Sequence, residues 1–154
     1  MRARLPDESG YVVNSGVRIH YEVHGTGQLT ILLLPTWAIV DSRHWKMQVP
    51  FLARHYRVIT FDPRGNGRSD RPRDPAAYAD SVFASDIAAV LDGTGTKRAV
   101  LAAFCSGFPW ALLFAEAHPE QVTGIVSIAP TLPIPPADPW KLDGRFFDDV
   151  PITT

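Results

Sequence analysis

Short apolar runs alternate with helical patterns through most of this chain, and this alternation restricts its possible folds more than any other feature. Four runs rich in apolar and β-branched residues lie at 29–34, 56–62, 98–104 and 122–129. Between them, apolar residues recur at the spacing of helices, at 45–52, 83–91 and 110–117. Apolar strands without alternation are typical of a sheet covered on both faces. We therefore predict an α/β fold, a mostly parallel sheet with helices on both faces.

The segment before the first apolar run has a different pattern, typical of antiparallel strands. Along residues 17–24, apolar side chains alternate with polar ones, so one face carries Ile19 and Tyr21 and the opposite face carries His20 and His24. We therefore expect both histidines to face solvent. In the helical pattern at 110–117, by contrast, we expect one apolar face to be formed by a set of four residues: Trp110, Leu113, Phe114 and Ala117.

Composition limits the classes of function that are open to this chain. Its 154 residues are 45% hydrophobic and 20% charged, which is typical of one globular domain with a substantial core. A formal net charge of -1 argues against nucleic acid as a partner. The single cysteine excludes an intrachain disulfide, and no apolar stretch approaches the length of a membrane span. We expect a cytoplasmic protein without a membrane partner, and the scattered histidines predict no metal site.

The chain divides into two parts of different character. Residues 1–129 contain the alternating pattern and are predicted to form the core, whereas residues 130–154 contain six prolines and lack a regular period. This second part is interpreted as a proline-rich tail or as the start of a lid.

The lone cysteine, Cys105, lies where the third apolar run turns into a helical pattern. A nucleophile at such a turn needs very small residues two positions before and two after it, and Ala103 and Gly107 occupy those positions. The helix that follows favours a thiolate and offers free N–H groups to an oxyanion. Two alternatives stay open: Cys105 as a small buried core residue, and Ser106 as the attacking group rather than as a helix cap.

Four short segments, in order, resemble the α/β-hydrolase superfamily. They are a strand end at 32–37, an Asp-Pro-Arg-Gly-Asn-Gly-Arg-Ser loop at 62–69, the elbow at 103–107, and a His-Pro-Glu segment at 118–120. The resemblance covers about residues 16–130, the N-terminal portion of that fold without its last strands. A cysteine at the elbow is a minority variant, similar to that of dienelactone-hydrolase-like enzymes.

The resemblance implies a mechanism and assigns residues to it. Cys105 is then the nucleophile, and the oxyanion hole is formed by the backbone N–H groups of Ser106 and Trp37. The expected reaction is hydrolysis of a small carbonyl substrate, an ester, lactone or thioester, through an acyl-enzyme and without a cofactor.

A general base and its carboxylate partner are harder to find. His118 is expected at the far end of the elbow helix, too distant to act, which leaves His44 as a weak candidate that also fits a capped first turn. Asp138 and Asp143 follow the last apolar run, but within the proline-rich tail. In the family, the catalytic acid and histidine come later in the chain than any residue present here.

The last apolar run, at residues 122–129, suggests a second functional hypothesis. If no strand follows it, residues 122–129 form an open sheet edge, which favours pairing with another copy of the chain or with a missing C-terminal half. The alternative to an enzyme is therefore a hydrolase-derived half domain that binds a ligand or a partner without chemistry.

Overall fold

The computed structural model describes residues 4–37 and 39–131. In this part of the chain, six strands form one sheet in the order β1-β2-β4-β3-β5-β6. The strands are β1 (Glu8–Asn14), β2 (Val17–His24), β3 (Thr30–Leu33), β4 (Arg57–Phe61), β5 (Ala99–Phe104) and β6 (Val122–Ile128). β1, β2 and β4 pair antiparallel, and β4, β3, β5 and β6 pair parallel. The mostly parallel sheet predicted from the alternation is confirmed.

The tight hairpin between β1 and β2 explains why the sheet begins antiparallel. Ser15 and Gly16 connect the two strands and have φ angles of 51° and 78°. Two consecutive residues of positive φ form the type of turn whose twist matches that of the flanking strands.

Helices cover both faces of the sheet. α2 (Asp80–Gly93) and α3 (Gly107–Ala117) pack together on one face, over the larger apolar cluster that contains Leu32, Ile59 and Leu101. The opposite face is covered by a 3-10 turn and by α1 (Val49–Leu52), which enclose Leu33 and Val58. The helical pattern at 45–52 is therefore divided into two short pieces, the second of which has proline in its first turn.

Two expectations for β2 were wrong. His20 and His24 are each only 3% exposed. The residues that follow β4 cover His20, whose backbone N–H donates to Ser69 Oγ at 2.8 Å and whose Nδ1 lies 3.5 Å from Asp62 Oδ2. Alternation correctly placed the histidines on the face opposite Ile19, but a local pattern does not report what covers that face.

The elbow helix α3 differs in part from its predicted apolar face. Trp110 and Phe114 are buried as expected, together with Ala111, whereas Leu113 is 38% exposed and Ala117 is exposed. Leu113 lines an open groove, described below, rather than the core.

The last described strand, β6, lies at the edge of the sheet and pairs only with β5 among the described strands. Its Val126 and Ile128 are 50% and 46% exposed. The predicted open edge is thus present in this part of the chain. The proline-rich tail, Asp138 and Asp143 included, lies outside the described residues except for Pro130 and Thr131.

Candidate active site at the β5 turn

The turn from β5 into α3 has the strained geometry that its sequence predicts. Cys105 connects Phe104, the last residue of the strand, to Ser106 and the helix, and its φ is 52°. A residue other than glycine is held in this left-handed region only by its surroundings, and such residues concentrate at functional sites. The positive φ at Cys105 therefore marks this turn as a candidate functional site.

The small residues around Cys105 are required by close contacts. A Cβ atom on Gly107 would lie 2.5 Å from the carbonyl oxygen of Pro35, well inside van der Waals distance. Ala103 is fully buried in the larger apolar cluster. The spacing that predicted the elbow thus corresponds to a real steric limit, at the contact between the helix start and the end of β3.

The sulfur of Cys105 is half-buried and has two hydroxyl neighbours. Sγ lies 3.2 Å from Thr131 Oγ1 and 3.8 Å from Ser106 Oγ. These hydroxyls, first that of Thr131 and then that of Ser106, hold the pKa of the thiol below its ordinary value. The alternative of a cysteine enclosed in the core is therefore wrong, and Thr131 is a neighbour that sequence reasoning missed.

An open groove of about 650 Å³ runs beside the turn. Its floor includes Phe83 and Trp110, whose rings stack with centroids 4.2 Å apart. Trp110 Nε1 donates to Asp80 Oδ1 at 2.8 Å, so the polar edge of this ring is satisfied. The groove is lined mainly by apolar side chains and by both predicted oxyanion residues: Trp37, Tyr78, Asp80, Phe83, Ser106, Pro109, Trp110, Leu112, Leu113 and Thr131.

Both predicted oxyanion residues, Trp37 and Ser106, line the groove. Ser106 has helical backbone angles, φ -65° and ψ -11°, and its side chain makes no capping hydrogen bond. The expected role of its hydroxyl as a helix cap is therefore absent. Trp37, on the segment after β3, is 58% exposed. The arrangement brings the start of α3 and the end of β3 together beside the sulfur.

The two histidines considered as candidate bases, His44 and His118, both among the described residues, form no hydrogen bond with the sulfur of Cys105. His44 Nδ1 lies 2.8 Å from the Asp41 carbonyl oxygen and its ring packs against Trp45, while burial lowers its pKa. Its Nε2 is buried without a hydrogen-bond partner. His118 ends α3, as predicted. Within residues 4–37 and 39–131, no histidine forms a hydrogen bond with Cys105 Sγ.

The loop after β4 is polar but internally satisfied. Asp62 accepts hydrogen bonds from the Ser42 N–H and hydroxyl and from the Arg68 N–H, at 2.7 to 2.9 Å. Arg64 and Asp86 form a bidentate ion pair at 2.6 and 2.7 Å, with both side chains almost completely buried. These hydrogen bonds hold the loop in place and occupy the carboxylates of Asp62 and Asp86.

Two further observations concern the described part of the chain. It contains no group of three or more histidine, cysteine or acidic side chains arranged to hold a metal ion. None of its helices combines the length and apolar character needed to cross a membrane.

Residues 29–152 match the family model described as alpha/beta hydrolase fold. Over 111 residues the chain is 34% identical to the putative carbamate hydrolase RutD of Variovorax paradoxus, covering 71% of this chain and 41% of that protein. Over 86 residues it is 38% identical to epoxide hydrolase B of Mycobacterium tuberculosis, covering 55% of this chain and 24% of that protein.

Among solved structures, the chain is similar to Est816, described as an N-acyl homoserine lactone degrading enzyme. The TM-score is 0.75 at 30% identity, covering 91% of this chain and 52% of that one. A hydrolase from Pseudomonas aeruginosa PA01 has a TM-score of 0.76 at 26% identity, covering 90% and 51%. The chain thus spans about half the length of these structures, and less than half of the curated relatives named above.

Proposed function

We propose, from the premise that this chain belongs to the α/β-hydrolase family, that it carries the nucleophile of a hydrolase acting on an ester, lactone or thioester. The nucleophile is Cys105, and the oxyanion donors are the backbone N–H groups of Ser106 and Trp37. The observation that carries the proposal is the left-handed backbone at Cys105, with its sulfur half-exposed between two groove-lining residues. A strained cysteine beside a groove is suited to attack and contributes nothing to the core.

The proposed reaction has two steps. The Cys105 thiolate adds to the carbonyl carbon of the substrate, and the resulting oxyanion accepts hydrogen bonds from the two backbone N–H groups. The bond from carbon to the leaving alkoxide or thiolate then breaks, and the leaving atom takes a proton from water, which replaces the one that the thiol released on ionising. In a lactone the new hydroxyl stays attached to the acyl group. The product is a thioester between the acyl group and Sγ. Water attacks this thioester, releasing the carboxylic acid and restoring the thiol.

The shape of the groove supports an apolar substituent on the substrate. Its lining is mostly aromatic and aliphatic, with a few polar side chains that include Asp80, Ser106 and Thr131. Binding sites of this kind bury an apolar group and orient the reacting atoms with a few polar contacts. An N-acyl homoserine lactone, the compound class that Est816 is described as degrading, fits that pattern, so acyl lactones belong among the first substrates to test.

The test is acylation of the intact chain by a fluorogenic ester, followed by whole-protein mass. We expect a mass increase equal to one acyl group in the wild type and in Ser106→Ala, which keeps the backbone N–H. In Cys105→Ala the increase should vanish. Acylation retained in Cys105→Ala but lost in Ser106→Ala would assign the attack to Ser106 instead and overturn the proposal.

A second candidate function is a hydrolase-derived module that binds a ligand in the groove without chemistry. It is favoured by one observation: the hydrogen-bond partners of Cys105 Sγ are hydroxyls, and none is an imidazole, within the residues that the structure describes. Alkylation with iodoacetamide at pH 7 separates the candidates. A rate no higher than that of a model thiol favours the module, because an activated thiol is partly ionised at that pH.

A further inference from the structure

The chain segment that follows β6 returns to the sulfur of Cys105, although 26 residues separate the two along the sequence. Thr131 Oγ1 lies 3.2 Å from Sγ, which is within hydrogen-bond distance for a contact to sulfur. Thr131 also lines the groove beside Ser106. It therefore lies between the groove and the sulfur, at a place that no feature of the elbow sequence predicts.

The position of Thr131 is set by backbone hydrogen bonds to the elbow itself. The Cys105 N–H donates to the carbonyl oxygen of Ile128 at 3.0 Å, and the Thr131 N–H donates to the carbonyl oxygen of Cys105 at 3.3 Å. These bonds continue the pairing of β5 with β6 beyond the ends of both strands. They fix the Cα of Thr131 relative to that of Cys105.

A second strained residue makes this return possible. Ala129 has a φ of 46°, so each of the two neighbouring strands is followed by a non-glycine residue of left-handed conformation. Ala129 is exposed and gains nothing from core packing. A left-handed alanine is costly, and such a cost persists where the surrounding structure uses the conformation. Here the conformation turns Pro130 and Thr131 over the sulfur.

Once the Cys105 thiol has lost its proton, the hydrogen bond between Cys105 and Thr131 can form in only one direction. A thiolate can only accept, so the Thr131 hydroxyl donates to it, and a charge-assisted hydrogen bond is stronger than a neutral one. The same bond stabilises the charged form of the sulfur and aims one of its lone pairs at Thr131. Ser106 Oγ, at 3.8 Å, is the weaker neighbour.

We propose that Thr131 is a positioning residue whose hydroxyl, placed by the left-handed turn at Ala129, holds the ionised sulfur of Cys105 beside the groove that Ser106 and Thr131 line. This inference rests on the proposed function for its catalytic meaning. The contact itself does not depend on any substrate, so it is tested separately.

The experiment measures the rate of iodoacetamide alkylation against pH in the intact chain. Cys105 is the only cysteine, so whole-protein mass reports this one thiol. The variants are Thr131→Val, which keeps the shape and removes the hydroxyl, and Thr131→Ser, which keeps the hydroxyl. Thr123→Val, at an exposed site on β6, is the matched control. Circular dichroism checks that each variant folds.

We expect the apparent pKa of Cys105 to rise in Thr131→Val and to stay at the wild-type value in Thr131→Ser and Thr123→Val. Where the apparent pKa lies above 7, each unit by which it rises lowers the thiolate fraction at pH 7 about tenfold, while the intrinsic nucleophilicity of the thiolate increases about threefold. The alkylation rate at pH 7 should therefore fall about threefold per pH unit of rise. An ester that acylates the wild type should acylate Thr131→Val more slowly in similar proportion.

Two results would overturn the inference: a folded Thr131→Val with the wild-type pH profile, or a Thr131→Ser that behaves like the valine variant. Either would mean that the hydroxyl does not act on the sulfur. If no ester acylates the wild type but Thr131→Val still raises the apparent pKa, the proposed function fails and the role of Thr131 stands. Failure of the two ideas is therefore distinguishable.

Discussion

Two turns, here called corners, follow the carboxyl ends of the parallel strands β4 and β5, and their polar groups differ in burial and pairing. The β4 corner, residues 62–70, follows β4, and the β5 corner, residues 104–107, follows β5. In the β4 corner, Asp62 and Ser69 are buried and hydrogen-bonded, and Arg64 has its partner Asp86. In the β5 corner Cys105 is half-exposed, and the side-chain hydrogen-bond partners of its sulfur within the described residues are two hydroxyls.

The difference suggests a structural role for the β4 corner and a reactive role for the β5 corner. Buried polar groups that are fully paired make a corner rigid, and pairing also removes them from reaction. A nucleophile must instead keep its reactive atom accessible, at the cost of strained backbone around it. The longer signature, residues 62–69, therefore holds the architecture, while the short elbow carries the proposed reactivity. The free energy of unfolding of variants in the two corners tests this division.

The largest loss of stability should follow from breaking the ion pair of the β4 corner. Arg64→Leu leaves the Asp86 carboxylate buried without its partner, and removal of one partner of a buried pair costs about 3–5 kcal/mol. Urea unfolding followed by circular dichroism measures the change. Arg43→Leu is the control, since Arg43 is 84% exposed in its pair with Asp41 and its loss should leave stability nearly unchanged. Equal effects of the two variants would contradict a scaffold role for the β4 corner.

A smaller loss should follow from enlarging the helix start in the β5 corner. Gly107→Ala places a Cβ atom 2.5 Å from the Pro35 carbonyl oxygen, so the backbone has to shift. Overpacking of this kind costs about 1–3 kcal/mol. Gly124→Ala on β6 is the matched control, because nothing lies within 4 Å of its added Cβ. Thermal unfolding should show a lower midpoint only for Gly107→Ala, and a neutral outcome there would refute the steric reading of the elbow.

The strain at Cys105 should reverse the usual order of stability between glycine and alanine variants. In the left-handed region a residue with a Cβ is less stable than glycine by about 1–2 kcal/mol, so Cys105→Gly should be more stable than Cys105→Ala by about 1 kcal/mol. At Ser106, whose φ is -65°, glycine should be less stable than alanine by about 0.5–1 kcal/mol. Urea unfolding of the four variants measures both differences. The same sign at both positions would argue against a strained elbow.

The smallest expected effect is a pH dependence arising from His24 of β2, which pairs with Val58 near the start of β4. Burial lowers the pKa of His24 from 6.5, against an opposing influence of Glu22. The unfolded chain therefore binds a proton that the folded chain releases, so this contribution to stability is complete above pH 6.5 and is lost as pH falls below it.

The free energy of unfolding of the wild type should thus decrease from pH 7 to pH 5, and His24→Gln should reduce that slope. His55→Gln, at an exposed site, should keep the wild-type slope. Denaturant unfolding at each pH provides the measurement. A slope that His24→Gln leaves unchanged would show that burial of this imidazole does not act on stability.

Sequence patterns predicted the parallel sheet, the edge position of β6 and the elbow at Cys105, down to the small residues at 103 and 107. These features were accessible because they depend on local rules, namely apolar periodicity and the steric needs of one tight turn. The same rules failed for His20 and His24, since alternation assigns a face and does not say what packs on it. They also failed for Leu113, whose exposed position depends on the groove.

By itself, then, the sequence determined the class of fold and the residue that stands at the strained turn. Only the tertiary structure decided which polar groups are paired and which remain accessible. It placed Thr131 against Cys105 because β5 and β6 are neighbours in the sheet, a relation between segments far apart in the chain. It also paired Arg64 with Asp86 and buried them together. Such contacts arise from strand order and packing, which no local spacing encodes.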